Sequence, residues 1–194
     1  MSFLLVFLII FGGIFLYIWS LYNQFITLKT RIKASIQEIG NQLKRQADLI
    51  PNLVSSVKGY MKHEKDIFEK LTEARKAVME VLNTEDTQKL IEVSGRLQTA
   101  LSPIRAVFES TPQLQAAGPT SKLMDELRDT ADKLMYSRRT LIDLTADYNI
   151  KIDTFPSNLV AKIFGFEREA GLKLPEEEII EVKKEELGTP RVEL

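Results

Sequence analysis

The sequence contains no cysteine and only one histidine, His63. Without thiols the chain has no disulfides, no thiolate metal sites, no iron–sulfur clusters and no cysteine nucleophile. Histidine is the commonest general base and metal ligand, so a single histidine removes the usual parts of most acid–base and metal-assisted mechanisms. His63-Glu64 matches half of a zinc-protease motif, but Ile67 stands where the second histidine is needed. We therefore predict a non-enzymatic protein with no catalytic residue, no metal and no cofactor.

Glycine is scarce as well, with nine residues in a chain of 194. This scarcity argues against an all-β domain, and the sequence carries neither of the glycine-rich phosphate-binding motifs. The net charge is −1, so no overall field attracts nucleic acid, and we expect no nucleic-acid partner. With 44% hydrophobic and 27% charged residues, the composition is that of a folded protein.

One long hydrophobic run is present. From Phe3 to Tyr22 there is no charged residue, and the first charged side chain is Lys29. A helix of this length rises about 30 Å, which matches the hydrocarbon core of a bilayer. Trp19 lies near one end, where aromatic rings favour the headgroup level. Because no basic segment or cleavage motif of a secretory signal accompanies the run, we predict a retained anchor over residues 1–28, in contact with lipid through residues 3–22.

Basic residues follow this run and predict its orientation. They are Lys29, Arg31, Lys33, Lys44 and Arg45. Since basic residues are enriched on the cytoplasmic side of membrane helices, we expect a single-pass protein of the cell membrane. Its N-terminus would lie outside and its C-terminal domain in the cytoplasm.

Apolar residues recur every three or four positions in the rest of the chain, the pattern of helices that pack on one another as in a coiled coil. The three stripes run from Ile32 to Leu82, from Leu90 to Phe108 and from Met124 to Phe155. They predict an all-α fold, with the membrane helix followed by an up-and-down antiparallel bundle of long, kinked helices over residues 29–166.

Local signals predict where these helices bend and stop. The first stripe keeps its phase across Pro51, which indicates one kinked, continuous helix. Thr84 is the expected cap of the second helix, and Ser102-Pro103 predicts a kink or a break within it. Two prolines and a glycine predict a loop over residues 111–121.

The C-terminal part of the chain contains two segments of different composition. Phe155-Pro156 should end the last long helix, and two short turns should follow, with Gly165 as the left-handed stop. Its apolar residues are expected to dock on the bundle, with the membrane surface as the less favoured alternative. Residues 167–194 are dominated by charge and predict a tail that is disordered or is ordered only by a partner.

Charged residues along the stripes are the candidates for a functional surface. Arg75 and Arg138 occupy stripe positions, where a buried arginine needs a carboxylate or backbone carbonyls, and Glu64 is one candidate partner. We interpret both arginines as devices that set helix register, in preference to ligand binding. The full set of candidate partner or pocket residues is Arg45, Asp48, Pro51, Asn52, Lys58, Tyr60, His63, Glu64, Arg75, Arg138 and Tyr148.

Two runs carry a family resemblance. The run from Gln42 to Glu64, followed by Thr72-Glu73-Ala74-Arg75, and the run from Asp147 to Phe166 resemble the signatures of the bacterial LemA family. The short N-terminal membrane helix and the spacing between the two runs agree. The resemblance implies an anchored, antiparallel helical bundle in the cell membrane. The family has no established molecular activity, and its pattern includes no catalytic residue to carry over.

The leading hypothesis is a membrane-anchored scaffold or adaptor of the cell envelope. Its partner would be another envelope or membrane protein, or a second copy of the chain. The alternative is a sensor or ligand-binding module, with a polar pocket between helices lined by Glu64, Arg75, Arg138 and Tyr148. An enzyme is the third and least favoured class, because the chain lacks the residues for it.

Overall fold

The computed structural model describes residues 2–61, 64–84 and 86–171. These residues form helices and connecting turns, without a strand, so the all-α prediction is confirmed. In chain order the helices are α1 (Ser2–Val57), α2 (Lys65–Val81), α3 (Thr87–Ser110), α4 (Pro112–Ala116), α5 (Gly118–Asp153) and α6 (Ser157–Phe164).

Helices α1 and α5 are the two longest helices of the bundle and pack along each other. Three hydrogen-bonded pairs join them: Gln24 with Lys151, Ser35 with Ser137, and Arg45 with Glu126. Across these three pairs the residue number rises along α1 and falls along α5, so the two helices are antiparallel. The hairpin of α2 and α3 packs on the half of α1 that contains Gln46 and Ala47. The predicted up-and-down bundle is confirmed.

The stripes meet in one continuous core. Its fully buried members include Ile39, Leu43, Leu71, Leu97 and Leu127, contributed by α1, α2, α3 and α5. Each such side chain stabilises the fold by about 1.5–3 kcal/mol relative to leaving it in water. Burial of these faces therefore holds the long helices together.

The first stripe was wrongly assigned to one helix. As predicted, α1 continues through Pro51, but it ends at Val57, and α2 begins only at Lys65. The Tyr60 N–H donates to the Val57 carbonyl at 2.9 Å, which closes a tight turn around Gly59. The spacing of apolar residues indicates only which side chains face the core. A helix that ends and restarts against the same core keeps that spacing, and glycine is a weak helix former.

Two other boundaries also differ from the predictions. Thr84 does not cap α3, because its hydroxyl donates to the Val81 carbonyl. The cap is Asp86, whose carboxylate accepts from the Lys89 N–H at 3.0 Å. Helix α3 runs unbroken through Pro103, so the break offered as one of two outcomes there does not occur.

The predicted loop over residues 111–121 is largely helical. It contains all of α4 and the first turn of α5. Its two prolines, Pro112 and Pro119, lie in the first turns of these two helices. Proline is well tolerated there, since the N–H that it lacks has no acceptor inside the helix. A proline cluster can thus begin helices as well as interrupt them.

The C-terminal stop signals are confirmed. Helix α5 ends at Asp153, just before Phe155-Pro156, whose peptide bond is cis. The predicted pair of short turns is one helix, α6, and Gly165 follows its last residue in the left-handed conformation, with a φ of 69°. Only the first residues of the predicted tail, 167–171, are described, and the rest of it lies outside the described residues.

The N-terminal part of α1 stands apart from the bundle. Its large apolar side chains from Phe3 to Trp19 are exposed, apart from the partly exposed Ile18, and burial begins at Leu21. This is the one described helix long and apolar enough to cross a membrane. A core helix of a soluble protein would bury such residues against other helices, so this exposure agrees with lipid contact. The chain is a membrane-associated protein.

Candidate functional site

Most predicted partner residues lie at the end of the bundle far from the membrane segment, here called the distal end. Arg45, Asp48, Asn52, Lys58 and Tyr60 are exposed on the last turns of α1 or just after it. Glu64 is also exposed, and its side chain does not cap α2. His63 lies outside the described residues.

Pro51 and Arg75, both singled out in the sequence, affect the same backbone carbonyl, that of Ala47. In a regular helix the Ala47 carbonyl would accept from the N–H of residue 51, but proline has no N–H. The Arg75 Nε instead donates to the Ala47 oxygen at 2.9 Å. Ala47 is fully buried, so its carbonyl needs this donor. Arg75 thus ties α2 to α1 at the place where proline opens the helix.

The other two predicted pocket residues lie elsewhere. Fully buried Tyr148 packs edge-on against Phe25, with ring centroids 5.8 Å apart. Phe25 and Ala47 are about 33 Å apart along α1, at 1.5 Å per residue. Arg138 is half-buried on α5, next to Ser137, whose carbonyl accepts from Ser35. Arg75 and Tyr148 therefore cannot line one pocket, and the four-residue pocket of the alternative hypothesis does not form.

A groove lies between α1 and α5 at the distal end, here called the distal groove. It is lined by Asn52, Ser55 and Ser56 of α1 and by Pro119, Lys122, Leu123, Asp125, Glu126 and Asp129 of α5. Only Asn52 was among the predicted residues. The α5 wall was missed because the sequence does not show which face of α5 lies beside the end of α1.

The carboxylates of the distal groove are all engaged. Glu126 accepts from Arg45 at 2.7 Å, and this bond and the charge of Glu126 raise the pKa of Arg45 above its ordinary value. Asp129 pairs with Lys133 at 2.8 Å, and Asp125 lies 3.8 Å from an Arg128 nitrogen. No group of three or more potential metal ligands occurs among the described residues. These contacts suit a surface that binds a partner better than they suit acid–base chemistry.

A polar layer crosses the core beside the Arg75 contact, and sequence analysis missed it. Gln98 donates to Gln46 at 3.2 Å and accepts from Arg105 at 2.9 Å. Gln46 is fully buried, yet its Nε2 has no partner within the described part of the chain, and neither does the Ser94 hydroxyl. Gln46 stands beside Ala47, a member of the first stripe, and that position was its only signal. Such layers favour one register of helix packing over others.

An aromatic cluster occupies the membrane-proximal end of the bundle. It comprises Tyr22, Phe25, Tyr148, Phe164 and Phe166. The Phe25 and Phe166 rings stack with centroids 4.8 Å apart, and Tyr22 lies 5.0 Å from Phe164. Burial raises the pKa of Tyr148, and the nearby charges of Glu169 and Glu167 raise it further. The cluster joins the bundle to the end of the membrane segment.

Asn149 fastens the chain just beyond the cluster. Its side-chain Nδ2 donates to the Glu169 carbonyl, and its Oδ1 accepts from the Glu169 N–H, each at 3.0 Å. Arg168 pairs with Asp153 at 2.6 Å. The run from Asp147 to Phe166, which carried the family resemblance, therefore builds the base of the bundle.

Comparisons with known proteins agree with this architecture. The profile of the LemA family matches residues 35–184. The magnetosome protein MamQ of Magnetospirillum gryphiswaldense is 24% identical over 170 residues, which cover 76% of this chain and 62% of MamQ. The chain thus spans less than two thirds of that relative. Protein LemA of Metamycoplasma hominis is 23% identical over 186 residues, which cover 95% of this chain and 84% of that protein. The chain belongs to the LemA family.

Proposed function

We propose that this protein is a non-catalytic scaffold, anchored in the cell membrane by α1, that presents its distal groove to another envelope or membrane protein. The observation that carries the proposal is the continuity of α1. One helix of 56 residues contains both the exposed apolar segment and one side of the bundle. A continuous helix transmits orientation, whereas a flexible linker does not.

The continuity of α1 fixes the distance between the membrane segment and the distal groove. The part of α1 from Tyr22 to Val57 rises about 53 Å at 1.5 Å per residue. The antiparallel α5 supports most of that length, because its hydrogen bonds to α1 run from Gln24 to Arg45. The distal groove is thereby held far above the bilayer at a fixed height. A spacer of this kind suits a protein that positions a partner.

The distal groove supports the binding role by its chemistry. Its walls are mostly polar side chains on two helices, and its carboxylates are already paired with neighbouring bases. A partner that docks there displaces water without burying an unpaired carboxylate, and burial of unpaired charge is costly at protein interfaces. Helices also hold a binding surface more accurately than loops do.

Photo-crosslinking in native membranes tests this proposal. A crosslinking amino acid replaces Ser55 on one wall of the distal groove, Lys122 on the other, or Thr99, which is exposed on α3 outside the groove. We expect one and the same protein to be captured from both walls and not from Thr99. A second substitution, Asn52→Trp, should fill the groove and abolish both adducts. Adducts that are equal at all three positions, or absent at both walls, would refute the proposal. Adducts with a second copy would identify a homo-oligomer as the partner.

The proposed orientation places the bundle in the cytoplasm, supported by the basic residues Lys29, Arg31 and Lys33 just after the apolar segment. Since the chain contains no cysteine, Thr99→Cys provides a single labelling site. A membrane-impermeant maleimide should label this variant only after the cells are lysed. Labelling of intact cells would place the bundle outside and contradict the orientation.

A further inference from the structure

Helix α6 has two faces of opposite character. Its inner face is buried: Val160 and Ala161 pack on the bundle, and Ser157 donates to the Lys151 carbonyl at 2.7 Å. Its outer face carries Leu159 and Ile163, which are 50% and 72% exposed. A short helix whose only role was to pack on the bundle would carry polar residues on its outer face. The apolar outer face is therefore left without a partner in the described structure.

The exposed apolar surface extends beyond α6. Phe155, immediately before the cis proline, is 79% exposed, and Phe164 at the end of α6 is partly exposed. Scattered single apolar residues on a surface need no explanation, but several bulky ones on one short segment do.

The position of α6 indicates what covers this surface. Phe164 contacts Tyr22 with ring centroids 5.0 Å apart, and Phe166 stacks on Phe25. Tyr22 is the last residue of the uncharged run that begins at Phe3. When that run spans the hydrocarbon core, α6 lies at the level where the core meets the headgroups. Through Phe164, α6 is therefore in contact with the end of the membrane segment.

Two lysines close to α6 fit the same location, and the nearby acid Asp153 is paired with Arg168. Lys162 is exposed on α6, next to Leu159 on its outer side. On α1, Lys29 follows one turn after Phe25, and its charge is partly offset by Glu169 at 3.7 Å. A lysine among apolar residues can bury its carbon chain and extend its ammonium to lipid phosphates.

We propose that α6 is a second membrane contact, an interfacial helix whose outer face, formed by Phe155, Leu159 and Ile163, lies in the lipid bilayer beside the membrane segment of α1. Its inner face holds the bundle through the aromatic cluster. The bundle would then stand on the membrane at two points, the span and α6, which prevents it from tilting about α1. This inference rests on the membrane anchor of the proposed function and is independent of which side of the membrane the bundle occupies.

Site-directed spin labelling of the full chain in phosphatidylcholine nanodiscs tests the inference. The absence of cysteine allows a single nitroxide to be attached at Leu159→Cys, at Ile163→Cys or at a control position. The matched control is Met135→Cys on α5, because Met135 is 67% exposed but lies about 20 Å farther from the membrane than Tyr148, at 1.5 Å per residue. Phe7→Cys reports on the span. Accessibility to oxygen, which dissolves in lipid, is compared with accessibility to a polar nickel chelate.

The expected result is a ratio of oxygen to nickel accessibility several-fold higher at residues 159 and 163 than at 135, and close to the ratio at 7. If residues 159 and 163 match 135 while 7 remains lipid-like, α6 lies in water, and the inference fails although the anchor stands. If 7 also resembles 135, the anchor itself fails. Low accessibility of 159 and 163 to both reagents would mean that a protein surface covers α6, and this too would overturn the inference.

Discussion

The contact between Arg75 and the Ala47 carbonyl makes a prediction that depends on Pro51. Proline at position 51 removes the helical donor to Ala47, and the Arg75 Nε replaces it at 2.9 Å. Arg75→Met keeps the apolar length of the side chain but removes the donor. The fully buried carbonyl is then unsatisfied, so we expect a loss of about 1–3 kcal/mol in the free energy of unfolding.

Pro51→Ala changes that cost. Alanine supplies an N–H, so the Ala47 carbonyl can again accept within α1. In this background Arg75→Met should destabilise the protein less, and the double-mutant cycle should give a coupling free energy of about 1–2 kcal/mol. Pro51→Ala alone should raise stability, since proline within a helix costs about 3 kcal/mol relative to alanine.

Urea unfolding of the full chain in detergent micelles, followed by circular dichroism, measures all four variants. The control is Arg96→Met, an exposed arginine on α3, which should change the free energy of unfolding by less than about 0.5 kcal/mol. Equal costs of Arg75→Met in both backgrounds would show that Arg75 does not act through the carbonyl that proline leaves free, and the reasoning would be refuted.

Three further variants test other parts of the structure. Leu43→Ala in the core should cost about 2–5 kcal/mol in the same unfolding assay, and a cost below 1 kcal/mol would contradict the packing described. The hydrogen bond from the Lys89 N–H lowers the pKa of Asp86, so its stabilising effect is present above the ordinary value of 3.8 and is lost as pH falls through the lower folded value. Asp86→Ala should therefore lower the melting temperature at neutral pH, with a difference that shrinks in acid, and a constant difference would refute the cap. Asn149→Leu removes both bonds to Glu169, each worth about 1 kcal/mol, and should speed tryptic cleavage after Arg168; an unchanged rate would contradict the role of Asn149.

The amino-acid sequence alone determined the elements that depend on local chemistry. A run without charge from Phe3 to Tyr22 needs no tertiary information to predict contact with lipid, because its length and composition set the transfer free energy. Amphipathic stripes likewise require helices that bury one face, which determined the all-α bundle. The end of α6 followed from Gly165, since glycine readily adopts the left-handed conformation that stops a helix.

Only the tertiary structure decided how the stripes are divided and what their polar residues contact. A turn around Gly59 leaves the apolar phase unchanged, so periodicity could not separate α1 from α2. The acceptor of Arg75 is a backbone carbonyl on another helix. Pro51 indicates that this carbonyl lacks its helical donor, but only the packing of α2 on α1 brings Arg75 to it. The distal groove and the outer face of α6 arise where helices distant in the chain end side by side. Which surface a helix leaves uncovered depends on the shape of its neighbours, and that shape exists only once the chain has folded.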